Sequence, residues 1–192
     1  MTPSILIYAD CDGVITTPLK YFDGVRFSKA FSDHDAYAIS LLKPWLVLIS
    51  QDPTNAAWAA HKGVEFVHVN GTTSWDKYIA LCSDWAQRVR EGKVTVDGLA
   101  PFSPDDRYIY VGDSLYDLDC LKHARYGFIP SDGSNLLRHQ VAENAAIEVL
   151  DTSGGHGCLE EVLYKMIFKL WDDLSPHFRP IHETVRKLME YR

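Results

Sequence analysis

The chain has 192 residues, 46% of them apolar, and a formal net charge of -7; this length and composition suit one compact domain spanning residues 1–192. The negative balance argues against nucleic acid as a bulk partner, and no apolar run of membrane length is present. Cys11, Cys82, Cys120 and Cys158 are scattered without zinc-like pairing, which, with no leader peptide read, points to reduced thiols and a cytoplasmic protein.

In chain order, the first element is an apolar run from Ser4 to Ala9 that predicts a buried strand and ends in Asp10-Cys11-Asp12-Gly13. Such a strand belongs in a sheet covered on both faces, where ligands bind at the carboxyl ends. Two carboxylates one residue apart are costly there unless a cation neutralises them or one keeps a proton. The same residues also suit an ordinary turn, so partners elsewhere must decide. Cys11 should point away from both acids and is not read as catalytic.

Leu19–Phe27 reads as a hairpin about Asp23-Gly24, a candidate flap whose aromatics call for cover by its own sheet or by another chain. One helix then precedes Trp45–Ser50, a second buried strand ending in a hydroxyl residue. A helix and the strand Val64–Val69 follow, then a helix over Trp75–Arg90 with Lys77 at its start. Arg107–Val111 repeats the first pattern: an apolar strand, a Gly112-Asp113 turn, and Asp117 opening a helix, so that both acids can face Asp10. Tyr126–Ile129 is a short strand, Leu136–Asn144 a helix, and Leu159–Trp171 has apolar residues at helical spacing. From about residue 172 a helical tail is expected, with Ile181–Tyr191 presenting Ile181, Val185 and Leu188 as a packing face. This alternation predicts an α/β fold: a three-layer, doubly wound parallel sheet with helices on both faces.

Asp10-x-Asp12, then Ser50, then Lys77, then Gly112-Asp113 and Asp117, in that order, resembles the haloacid dehalogenase (HAD) superfamily, mostly phosphatases that form an aspartyl-phosphate. The resemblance implies a Rossmann-like core with Asp10 as nucleophile and Asp12 as general acid and base. It further implies Ser50 and Lys77 on the phosphoryl oxygens, and a Mg²⁺ site drawn from Asp10, Asp12, Asp113 and Asp117. The chemistry suits these residue types. An attacking carboxylate must be ionised despite an anionic phosphate, whereas the proton donor must start protonated, so the two acids need pKa values pushed apart. The gaps between motifs hold only a hairpin, two helices and a strand, which implies a capless protein with a small flap.

Phe31-Ser32-Asp33-His34-Asp35-Ala36 and Gly154-Gly155-His156-Gly157 narrow the resemblance to the 3-deoxy-octulosonate 8-phosphate phosphatases and related nonulosonate 9-phosphate phosphatases, over about residues 4 to 168. These are homotetramers acting on small phosphorylated metabolites, sugar-acid phosphates in particular. The likeness implies substrate contacts from Ser50, Lys77, His34, Gly155 and His156, although His156 also reads as a solvated loop histidine. Three arginines of that subfamily are absent: His34, Asp52 and Glu160 stand in their places. Because arginine is the preferred fork for carboxylates, the substrate class implied is a sugar or sugar-acid phosphate, with a nucleotide or polyol phosphate as the alternative. A non-catalytic binding module is the alternative outside enzymes.

Overall fold

The computed structural model describes residues 3–22, 27–95, 104–170, 172–174, 177–178 and 183. Strands β1 (Leu6–Asp10), β4 (Leu46–Ser50) and β6 (Tyr108–Val111) are buried at every position, so they take the centre of a covered sheet. With β5 (Glu65–His68), β7 (Tyr126–Ile129) and β8 (Ile147–Val149) they form one parallel sheet in the order β5-β4-β1-β6-β7-β8. The chain runs outward from β1 through β4 to β5, then returns to β6 on the other side of β1. That reversal opens a crevice at the carboxyl ends of β1, β4 and β6.

The period of two along the strands divides the core. Ile5, Ile7, Ala9, Leu46 and Leu48 pack with buried residues of α1 (Asp33–Leu42), α2 (Asn55–Lys62) and α6 (Cys158–Phe168). Leu6, Tyr8, Val47 and Ile49 pack on the opposite face with α3 (Ser74–Arg90), α4 (Leu118–Lys122) and α5 (Asn135–Val141). The three-layer α/β architecture is therefore the one expected. No large cap interrupts it among the described residues, and none of their helices is long and apolar enough to cross a membrane.

The boundaries differ in detail. Helix α3 begins at Ser74, because Thr73 and Asp76 close a capping box around its first turn. Helix α5 stops at Val141, short of the expected Asn144. Strand β8 was not anticipated: three half-polar residues at a sheet edge carry too little alternation to be read. The hairpin is longer than expected, pairing β2 (Thr16–Phe22) with β3 (Phe27–Phe31) in antiparallel register. Its Asp23-Gly24 turn, Trp171 and most of the Ile181–Tyr191 segment lie outside the described residues.

A buried acid ties α1 to α6. Asp35 is 1% exposed, and its carboxylate accepts backbone hydrogen bonds from Gly157 (3.2 Å), Leu159 (2.8 Å) and Glu160 (3.4 Å) at the start of α6. It thus serves the N-terminal amides that no side chain of α6 itself caps. The segment it anchors presses on the turn after β1: a Cβ at Gly154 would lie 2.0 Å from the Gly13 carbonyl oxygen, and Gly155 N donates to Val14 O at 2.8 Å. Asp35→Ala should destabilise the protein by about 2–4 kcal/mol in denaturant unfolding, because several buried amides lose their acceptor. Asp33→Ala, at an exposed position of the same helical turn, should change stability by less than about 0.5 kcal/mol.

Candidate active site

Asp10 is the last residue of β1, and Asp113 and Asp117 flank the loop after β6, Asp117 closing a 3₁₀ turn over Leu115–Asp117. Since β1 and β6 are paired neighbours, the three carboxylates converge: one oxygen of each lies within 4.8 Å of the others. Gly13 permits this approach. Its φ is +85°, and a Cβ there would lie 2.2 Å from a carboxylate oxygen of Asp113.

Lys77, fully buried on the first turn of α3, reaches into the cluster with Nζ 3.1 Å from Asp10 and 2.6 Å from Asp117. Its ammonium also lies 4.8 Å from the centre of the Tyr116 ring. Asp117 is saturated: Oδ1 accepts from Lys77 and from the Tyr110 hydroxyl (2.6 Å), and Oδ2 from Asp113 N, Ser114 N and Ser114 Oγ (3.1 Å each). Its role in the geometry is to fix Lys77 and the Asp113 loop together.

The electrostatics follow from crowding acids in a buried space. Burial, opposed by Lys77 and reinforced by Asp117, pushes Asp10 up to about 7. Burial, then the charges of Asp117 and Asp10, push Asp113 up to about 8. Burial works against the Lys77 ammonium, but Asp10 and Asp117 more than offset it and hold its pKa above the ordinary lysine range. Three convergent carboxylates facing a single buried lysine are a donor set suited to a hard divalent cation.

The Asp12 carboxylate is not one of the three that converge. The turn at Gly13 swings the side chain toward the hairpin, where it meets Lys29 Nζ at 2.8 Å, Asn55 Nδ2 at 3.3 Å and Thr16 Oγ1 at 3.3 Å. It still faces the cavity. Asp10, Asp12, Ser50, Asp52, Asp113 and Tyr116 are among the walls of an open space of about 290 Å³. Ser50, at the end of β4, accepts hydrogen bonds at Oγ from Asp52 N (3.1 Å) and Asn55 Nδ2 (3.0 Å).

The three remaining candidates are set apart from that space. Gly155 packs on the backbone of Thr16 and Thr17. His34 and His156 border a separate cavity of about 440 Å³, with Thr152, Glu160, Glu161 and Tyr164. The Asp35 anchor explains this placement, because it joins the start of α1 to the glycine segment on the far side of the turn. Conversely, Lys29, Asn55 and Tyr110 enter the site without having been expected. No motif marks them; Lys29 in particular is one polar residue in a hairpin strand.

The raised carboxylates predict a pH signature. Between the ordinary range of about 4 and the values of about 7 and 8 for Asp10 and Asp113, the metal-free folded protein binds more protons than the unfolded chain. Their contribution to stability therefore falls as pH rises through that window. Mg²⁺ must displace those protons, so its gain in Tm should be larger at about pH 8.5 than at about pH 6, as read by thermal unfolding with and without the ion.

No family model matches the chain, and no curated protein matches it. Solved structures do. A chain described as a HAD family hydrolase from Streptomyces avermitilis superposes with a TM-score of 0.63 at 21% identity, covering 84% of this chain and 91% of that one. The cobalt-bound deoxy-D-mannose-octulosonate 8-phosphate phosphatase from Haemophilus influenzae gives 0.61 at 21% identity, over 85% and 86%. The 3-deoxy-D-manno-octulosonate 8-phosphate phosphatase from Moraxella catarrhalis, in complex with magnesium, phosphate and KDO, gives 0.61 at 21% identity, over 83% and 84%. With its parallel sheet, short inter-motif segments and convergent aspartates, the chain has the fold of the HAD hydrolases, with no large cap among its described residues.

Proposed function

We propose that the protein is a Mg²⁺-dependent phosphomonoester hydrolase that works through an aspartyl-phosphate on Asp10. The observation that carries this reading is the buried Lys77 ammonium bridging Asp10 and Asp117 beside Asp113, next to an open cavity walled by Asp12 and Ser50. In the first step an Asp10 oxygen bonds to phosphorus as the ester P–O bond breaks, and Asp12 gives its proton to the departing alkoxide. In the second, water attacks phosphorus while Asp12 takes its proton. The acyl-phosphate bond then breaks, releasing phosphate and restoring the Asp10 carboxylate.

Ser50 supports both steps: its oxygen accepts two hydrogen bonds, which orients the hydroxyl proton for a phosphoryl oxygen. Lys77 holds Asp10 in place and balances its charge. Mg²⁺ held by Asp10 and Asp113, with Asp117 in support, would supply the charge that keeps the nucleophile ionised against an anionic substrate.

The substrate in this reading is a small phosphorylated sugar. Relatives in fold include a phosphatase whose structure holds KDO, a sugar acid, yet among the described residues Gln51 and Asp52 border the cavity here and no arginine does. A carboxylate wall accepts hydrogen bonds from sugar hydroxyls and repels a substrate carboxylate, which favours a neutral sugar phosphate over a sugar-acid phosphate. The same reading takes residues 1–192 as one domain and the protein as a homotetramer, with neighbours closing the open cavity.

Two measurements test it. Phosphate release from neutral-sugar, sugar-acid and nucleotide monophosphates should require Mg²⁺, fall by about 10³-fold or more in Asp10→Asn, and be fastest for the neutral sugars. Silence across the panel from folded protein would sink the reading. Light scattering should give a mass near four chains; a monomer at micromolar concentration would remove the assembly.

A further inference from the structure

Lys29, which is not among the six residues named by the motifs, stands at the centre of a network that reaches one of them, Asp12. It projects from β3 of the hairpin and is only 10% exposed. Its ammonium lies 2.8 Å from Asp12, 2.7 Å from Asp52 and 2.9 Å from Asn55 Oδ1. An ammonium has three protons, and these three acceptors use them all, one from the loop after β1, one from the loop after β4 and one from α2. The hairpin is fastened to α2 a second time by the Phe31 ring, stacked on Trp58 with centroids 4.7 Å apart and planes 4° from parallel. Lys29 therefore does not reach the core from a loosely placed strand.

The Lys29 contact with Asp12, at 2.8 Å, is shorter than those of Thr16 Oγ1 and Asn55 Nδ2, both at 3.3 Å. Because all three Lys29 protons are committed to protein acceptors, the residue is not disposed to receive a substrate anion. We propose that Lys29 is a positioning residue for the general acid and base: the hairpin sets the Asp12 carboxyl against the leaving group through this ammonium, with Asp52 and Asn55 fixing the ammonium in turn. The proposal rests on the phosphatase reading given above.

The test compares wild type, Lys29→Met and Lys29→Arg on p-nitrophenyl phosphate and benzyl phosphate with Mg²⁺, together with backbone hydrogen exchange of residues 12–22 and 27–31. An aryloxide leaves without needing a proton, whereas a benzyl alkoxide depends on one. Lys29→Met should lower kcat/KM for benzyl phosphate by about 10²-fold and for p-nitrophenyl phosphate by about threefold at most, with Lys29→Arg recovering part of the loss. Equal losses on both substrates would reduce Lys29 to a structural role and overturn the proposal. A raised KM with unchanged kcat would make it a substrate-binding residue and overturn it equally. If wild type shows no hydrolysis that depends on Asp10, the phosphatase reading fails and the catalytic part of this proposal fails with it. Exchange separates the two cases, since faster exchange in Lys29→Met reports the hairpin clamp whether or not the protein turns over.

Discussion

The structure depends on the cost of gathering carboxylates at the closed end of a buried strand. Asp10, Asp12, Asp52, Asp113 and Asp117 crowd one crevice, and among the described residues Lys77 and Lys29 are cations set among them. Unpaired, such charges in a low-dielectric interior would protonate or destabilise the fold. Two different solutions coexist within a few ångströms. Asp117 is satisfied entirely by protein donors, whereas Asp10 and Asp113 are left with raised pKa values that a divalent cation would relieve.

The surrounding architecture serves that crevice. Parallel pairing of β1 with β4 and β6 brings three strand ends together, and the capping box of α3 places Lys77 one turn inside a helix whose N-terminus faces the same end of the sheet. Asp35 holds the start of α6 against the Gly13 turn, so a residue far from the cavity shapes the loop carrying Asp12. The two acids on β1's end then diverge by a change of backbone direction rather than of sequence chemistry. Asp10 stays with the cluster, and Asp12 turns to the hairpin.

The acidic residues at Asp52 and Glu160 become coherent in this setting. Asp52 lies in contact with Lys29, and Glu160 lies 3.7 Å from His34. The Lys29–Asp52 pair commits a positive charge to protein carboxylates beside Asp12. An exposed arginine fork and a committed lysine have opposite consequences for an incoming carboxylate.

By itself, the sequence determined the α/β class, the central strands and the chain order of Asp10, Asp12, Ser50, Lys77, Asp113 and Asp117. Long apolar runs and glycine turns are local signals, and the spacing of the motifs survives without knowledge of contacts. Strand β8 escaped because three half-exposed edge residues carry no period. Only the tertiary structure decided that the Asp12 carboxylate turns to Lys29, that His34 and His156 border another cavity, and that Lys29 and Tyr110 contact the motif aspartates. Those outcomes depend on side-chain direction across elements distant in sequence, which the order of residues along one strand does not encode.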